Sequence, residues 1–428
     1  MEQQEAPRYN ICSKMWTDLN INFQKKTFQH CCKQTHQPIS FNEINQLRSD
    51  VFDFHERNVR NRKISIDDNM LPPDCQWCIS TAPNNIKKVW NNWNDKFLDR
   101  LDDLTPLKEA SKTAYIDLDI GNSCDLACVY CGPWSSTTWA KELGQTKSAR
   151  NFIDPEWKEK ILENLSLYLL KLDSNEKIVF NILGGEPLLI VDTYEIISYL
   201  SNNCKHFKQK PILMITTNLN CKPTILKKLL ATLEETKNIF EWNLSVSIED
   251  VGKRAEAVRY HIDFNRFEKN LRLIKDNVDK IYLTTTFSIL SFANFHELIE
   301  WSFDILGKEC YTKTWDYTLN NVQEGYTDLA YCPRELIDIH KIKNTYTTII
   351  NDLTDRNENK VKNVMDHLDN MYQRAGTKQP GHQFYGFWKE MSKRRKLNYS
   401  TIYPLSHELM NFPSDSENNQ LVSNVQVS

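Results

Sequence analysis

From residue 113 onward, short runs of β-branched and apolar residues alternate with longer amphipathic stretches. AYIDLDI (114–120), KIVFNIL (177–183), PILMITT (211–217), FEWNLSVSI (240–248), KIYLTTTFSI (280–289) and TKTWDYTL (312–319) have the length and composition of strands. Between them, segments such as EWKEKILENLSLYLLKL (156–172) and TILKKLLATLEETK (224–237) carry apolar residues at helical spacing. Strands alternating with helices predict βαβ units and a parallel sheet. Six such units fall short of the eight of a closed barrel, so the expected fold class is α/β with an incomplete (β/α)6 TIM-like barrel. Right-handed crossovers place the loops after these strands on one face, where parallel α/β proteins build their sites.

Outside this region the pattern changes. Residues 84–112 read as a polar helix and connector behind a cysteine-rich segment. After about 333, RELIDIHKIKNTYTTIINDL and VKNVMDHLDNMYQRAG are charged and helix-like, and FPSDSENNQLVSNVQVS has the composition of a disordered tail. The expected organisation is a Cys-rich module with its linker helix at 1–110, a core at 111–325, a helical C-terminal extension at 326–411 and a tail at 412–428.

Composition adjusts the picture at its margins. With 40% hydrophobic residues, the 428-residue chain can bury a sizeable core. A formal net charge of -3 gives no general pull toward nucleic acid. The basic runs RNVRNRK (57–63) and KRRK (393–396) remain phosphate candidates, and more simply solvated helix faces. No apolar run reaches the length of a membrane span, and MEQQEAPRYN has neither the basic start nor the apolar run of an export signal. A cytoplasmic location is expected, where clustered cysteines serve as metal ligands or catalytic groups.

Of the twelve cysteines, Cys124, Cys128 and Cys131 stand in NSCDLACVYCGP, just after the first core strand, with spacing C-x3-C-x2-C. Three thiolates on such a loop can hold a [4Fe–4S] cluster and leave one iron without a protein ligand. A zinc site with a distant fourth ligand, or three unrelated buried thiols, are the simpler alternatives. NILGGEPLL ends the second strand with Gly184, Gly185, Glu186 and Pro187, where glycine lets backbone approach a ligand and a carboxylate can accept from an ammonium. TTNLN ends the third with Thr217 and Asn218, SVSIED the fourth with Ser245 and Ser247, and TTTFSIL the fifth with Thr285, Thr286 and Ser288. Taken singly, GGEP is an ordinary strand-end turn, and each polar residue is more simply a satisfied core group.

Together these elements, with Tyr130 directly before the last cysteine, resemble the radical SAM superfamily over roughly residues 113–320. The resemblance implies that Cys124, Cys128 and Cys131 hold the catalytic [4Fe–4S] cluster, with Tyr130 at the aromatic position of the motif. It implies that Gly184, Gly185, Glu186 and Pro187 bind the methionine amino group of S-adenosylmethionine. Thr217 and Asn218 would lie near its methionine and ribose, and Ser245 or Ser247 at the ribose hydroxyls. The usual glycine after Thr-Asn is Leu219 here, which leaves the loop shape open. The implied reaction is reductive cleavage to a 5'-deoxyadenosyl radical and hydrogen abstraction from an unactivated carbon, with the electron from a flavodoxin- or ferredoxin-type donor. Arg254 and Arg259 are candidates for pairing with a carboxylate, and more simply solvated helix-face arginines.

The N-terminal CSKMWTDLNINFQKKTFQHCCK and LPPDCQWC resemble a SPASM/twitch module, which carries a second Fe–S cluster. The ligands so implied are Cys12, Cys31, Cys75 and Cys78, with Cys32 as a spare or alternate, since adjacent cysteines diverge in a strand and should not both ligate one cluster. The module's turn glycine is replaced near Lys26, so its hairpin turn must be built in another way. Four thiolates ending in C-x2-C also suit an all-cysteine zinc site. Family members with such modules often modify peptides or proteins, which makes a peptidyl substrate the first expectation and a nucleoside, sugar or nucleic-acid base the second. Outside enzymes, the alternative is a non-catalytic Fe–S or zinc protein for binding or electron transfer. Cys204, Cys221, Cys310 and Cys332 read as small hydrophobes or incidental thiols, with Cys332 a candidate hydrogen-atom donor.

Overall fold

The computed structural model describes residues 14–30, 39–40, 52, 56–68, 70, 72–75, 115–145, 153–175, 177–322, 325–353 and 357–403. The expected linker helix at 84–112 and the expected tail at 412–428 lie outside the described residues. In chain order the strands are β1 (Asp18–Asn22), β2 (Thr27–Gln29), β3 (Ile39–Ser40), β4 (Tyr115–Asp119), β5 (Ala127–Cys128) and β6 (Val179–Leu183). They continue with β7 (Ile212–Thr217), β8 (Glu241–Ser247), β9 (Arg259–Tyr260), β10 (Lys280–Phe287) and β11 (Trp315–Asn321). All six predicted core runs are strands, namely β4, β6, β7, β8, β10 and β11. Burial follows their patterning: β10 alternates along its full length, whereas β8 is buried on both faces from Trp242 to Val246.

The chain divides into two compact units, the first comprising residues 1–121, 150–215 and 234–241. Here β4 pairs in parallel with β6, and β6 with β7. On its other side β4 takes β1 in parallel, with Asp18 opposite Tyr115 and Asn22 opposite Asp119. β1 and β2 form the expected antiparallel hairpin, and β3 pairs with β2. The hairpin turn dispenses with glycine: Lys26 adopts φ +59°, and the Asn22 side chain accepts from the Lys25 N–H at 2.7 Å. The helices Pro155–Leu169 and Val191–Asn203 bury Ile161, Leu165 and Tyr168, and Ile196, Ile197 and Leu200. Phe52 packs edge-on against both Phe28 and Tyr168.

The second unit comprises residues 122–149, 216–233 and 242–428. It holds β8, β10 and β11 in parallel and the short antiparallel pair β5–β9. The expected C-terminal extension is helical, with Ile339–Asn351, Glu358–Arg374 and His382–Arg395. Asp338 and Asn357 cap the first two, accepting from Lys341 and Lys360 N–H groups. Phe303, Tyr311, Trp315, Tyr317 and Tyr346 form an aromatic cluster in which the Tyr311 and Tyr346 hydroxyls stand 2.9 Å apart. The architecture is α/β with mostly parallel strand pairing. No helix among the described residues is long and apolar enough to cross a membrane.

Candidate functional site

The cysteine loop of the second unit is held by the short helix behind it. Ser136 caps the helix Thr137–Glu142, accepting from Trp139 N–H at 3.2 Å, and donates its own hydroxyl proton to Leu126 O at 2.5 Å. Thr137 and Thr138 hydroxyls donate to Cys124 O at 3.1 and 2.7 Å. Trp139 Nε1 donates to Cys128 O at 2.7 Å, and Val129 N–H to Val258 O at 2.8 Å. These bonds satisfy loop backbone that neither helix nor ladder reaches.

Several N–H groups point at the sulfurs. Leu126 N–H and Asn218 Nδ2 lie 3.5 and 4.0 Å from Cys124 Sγ, and Arg259 Nη1 lies 3.8 Å from Cys128 Sγ. Burial pushes the Cys128 thiol up to about 12 and raises that of Cys131, so as free thiols both keep their protons near neutrality. A metal centre bound there must therefore displace protons. Among the described residues, no three His, Cys, Asp or Glu side chains gather closely enough to hold a metal ion. The ligands of a cluster each bind a different iron and stand farther apart than those of a single ion. The three-thiol donor set, with N–H donors on two of its sulfurs, fits a cluster that leaves one iron without a protein ligand.

Behind Cys128 lies a buried ionic group that sequence reasoning missed. Arg259 donates from Nε to Glu249 Oε2 and from Nη2 to Oε1, both at 2.7 Å, and Tyr130 donates its hydroxyl to Glu249 Oε1 at 2.8 Å. Burial alone would lower the Arg259 pKa, but the Glu249 carboxylate outweighs it and holds the guanidinium charged. Arg259 is thus no solvated helix-face residue; it opens β9, with Cys128 opposite. The signal available was its place directly after the apolar pair Ala257–Val258 rather than its charge. Arg254 is half-buried and pairs with Asp250 and Glu297.

The other strand-end residues take defined places. Asn218 Nδ2 donates to Asp125 Oδ1 at 2.9 Å and Asn220 Nδ2 to Asp125 Oδ2 at 3.0 Å, so Asp125 ties the cysteine loop to the segment after β7. Thr217 Oγ1 accepts from Leu219 N–H at 2.9 Å. Leu219, standing where the family's glycine falls, has φ +52°, so the backbone keeps a left-handed turn with a buried leucine in it. Ser245 shares a 2.6 Å hydrogen bond with Thr284, while Ser247 ends β8 half-buried. Thr285 donates to Ile248 O, a core role.

GGEP belongs to the first unit. Gly184 has φ +147°, and a Cβ there would stand 2.4 Å from Gly121 O. Gly185 N–H donates to that same carbonyl at 2.6 Å. Glu186 is buried, and its Oε1 accepts from Leu188 N–H at 3.1 Å above the turn Pro187–Leu189. Each motif follows the C-terminal end of its strand: the cysteines after β4, GGEP after β6, Thr217 and Asn218 at the end of β7. In the N-terminal segment Cys75 is half-buried, while Cys12, Cys31, Cys32 and Cys78 lie outside the described residues. Cys204, Cys221 and Cys332 are buried as small hydrophobes, whereas Cys310 is exposed, as an incidental thiol is. Burial also pushes the Cys332 thiol up to about 12.

Residues 118–302 match the model of the Radical SAM superfamily. No curated protein matches the chain. Solved structures similar to it include anSMEcpe with bound AdoMet and Cp18Cys peptide, at 15% identity and TM-score 0.37, covering 55% of this chain and 58% of that one. Streptococcus suis SuiB bound to the precursor peptide SuiA has 15% identity and TM-score 0.37, covering 80% of this chain and 66% of that one. TYW1 with a lysine-pyruvate adduct has 12% identity and TM-score 0.30, covering 58% and 76%. The chain spans less than two thirds of the length of the first two.

Proposed function

We propose that the protein, whose residues 118–302 match the Radical SAM superfamily, is a radical SAM enzyme that modifies an unactivated carbon of a peptide or protein. The observation that carries this reading is the set of N–H donors directed at cysteine sulfurs: Leu126 and Asn218 toward Cys124, and Arg259 toward Cys128. Donors of this kind stabilise thiolate charge, which a cluster's ligands carry and neutral buried thiols do not.

On this reading Cys124, Cys128 and Cys131 hold a [4Fe–4S] cluster. When bound, that group supplies the electron that cleaves S-adenosylmethionine reductively. The chain's own residues bind, orient and exclude water. Gly184 and Gly185 bring backbone to the cofactor, and Glu186 and Pro187 complete the turn that receives its ammonium. Thr217 and Asn218 lie toward the methionine and ribose, and Ser245 and Ser247 toward the ribose hydroxyls. Tyr130 fills the space behind the cysteine loop. Cys12, Cys31, Cys75 and Cys78 hold a second Fe–S cluster in a module at 1–110, ahead of a core at 111–325. A flavodoxin- or ferredoxin-type protein delivers the electron in the cytoplasm. The peptidyl substrate class rests on the resemblance of the N-terminal cysteine pattern to SPASM/twitch modules.

Anaerobic reconstitution with iron and sulfide, followed by S-adenosylmethionine and dithionite, should yield 5'-deoxyadenosine and methionine. The Cys128→Ala variant should yield neither. A variant as productive as the wild type would end the reading.

A further inference from the structure

Arg395 is the last residue of the helix His382–Arg395 and is only 3% exposed. It belongs to KRRK, whose pattern suggests a solvated face. Its guanidinium instead lies between two rings, 4.8 Å from that of Trp139 and 4.7 Å from that of Tyr260. Nε and Nη2 donate to the two carboxylate oxygens of Glu142, both at 3.1 Å, and Nη1 donates to the Tyr399 hydroxyl at 3.4 Å. A buried charge is tolerated only when paired, and here a carboxylate and two ring faces compensate it.

Each of these partners reaches the cysteine loop by its own route. Trp139 donates to Cys128 O, as described above. Tyr260 stands opposite Ala127 across β5–β9, and its hydroxyl donates to Arg395 O at 3.4 Å. Glu142 ends the helix whose first threonines hold Cys124 O. One cation from the C-terminal extension thus joins the helix behind the loop to the strand beside it.

We propose that Arg395 is a positioning residue for the cysteine loop, through which the C-terminal extension fixes the geometry of Ala127–Cys131. Its functional weight rests on the reading of Cys128 as a cluster ligand; the clamp itself is a property of the chain. The test is deuterium exchange read by mass spectrometry on the full-length, metal-free protein. In Arg395→Met, the segment containing Val129 and Cys131 should exchange about tenfold faster, while β8 and β10 keep the wild-type rate. Arg395→Lys, which keeps the charge but loses the two-pronged contact with Glu142, should fall between. Arg394 lies 3.7 Å from Glu142, so that carboxylate retains a cation in the variant. The double variant Arg395→Met with Glu142→Gln removes both charges and should show the same local loosening. Unchanged exchange around Val129 and Cys131 would overturn the proposal. So would equal acceleration in β8 and β10, which marks global loosening. Iron and sulfide analysis of the reconstituted wild type reports separately on the cluster: absence of both ends that reading and leaves the exchange result standing.

Discussion

At Gly184 one added methyl group would meet the carbonyl oxygen of Gly121 at 2.4 Å, in a backbone conformation that L side chains rarely adopt. Gly184→Ala is therefore expected to cost about 2 kcal/mol or more in a urea unfolding titration, and to weaken S-adenosylmethionine binding with it. Leu219 and Lys26 show the converse. Both stand where the sequence lacks an expected glycine, and both keep positive φ. Asn270 steadies the first by donating to Leu219 O and Cys221 O, and the Asn22 side chain steadies the second. These turns were legible as turns, but their compensation comes from residues distant in sequence or from a local side chain that composition does not single out. Asp250 supplies a pH dependence. Burial, opposed by Arg254, pushes its carboxyl up to about 7. The folded chain then holds a proton that the unfolded chain releases above about 4, so this residue makes stability fall as pH rises from about 4 to about 7. Asp250→Asn should flatten that part of the profile of thermal midpoint against pH; an unchanged slope would assign it to other groups.

The helix Thr137–Glu142 is too short to be stable by itself, and its role is to present capping groups to the cysteine loop. Ser136 both caps it and donates to Leu126 O. Ser136→Ala should cost about 1–2 kcal/mol in thermal or chemical unfolding and slow cluster reconstitution, while Ser136→Thr should retain most of both. Among longer elements, the six core strands were legible because short β-branched and apolar runs set between helical patterns survive folding unchanged. β1 lying parallel beside β4 was not legible. Its five residues pattern equally well as a free hairpin arm, and only the exposed edge of β4 makes parallel pairing available. The pair β5–β9 was missed for a related reason: two residues on each side carry no periodicity.

For the whole molecule, the cysteine count makes a quantitative prediction. If the N-terminal set carries a second [4Fe–4S] cluster, reconstituted protein should hold about eight iron and about eight sulfide per chain. Cys75→Ala should lower both toward about four, while the Cys124 site keeps its cluster and its electron paramagnetic resonance signal. One zinc per chain, retained without added iron, would assign the N-terminal cysteines to a structural zinc site instead. The C-terminal extension has a further anchor at Asp328. Asp328 is buried, which alone would raise its pKa, yet donors from Arg374, Ala330 and Lys378 outweigh this and hold it below the usual range.

By itself the sequence determined the order of the six core strands, the position of each motif after its strand, and the chemical identity of the donor set. All three depend on local periodicity and on which side chains exist. It left undecided what those side chains touch. Arg259 and Arg395 read as surface charges because positive charge usually seeks water, yet each is buried against a carboxylate brought from elsewhere in the chain. Burying a cation requires a partner at contact distance, and the sequence separation between Arg395 and Glu142 means that only tertiary packing supplies one.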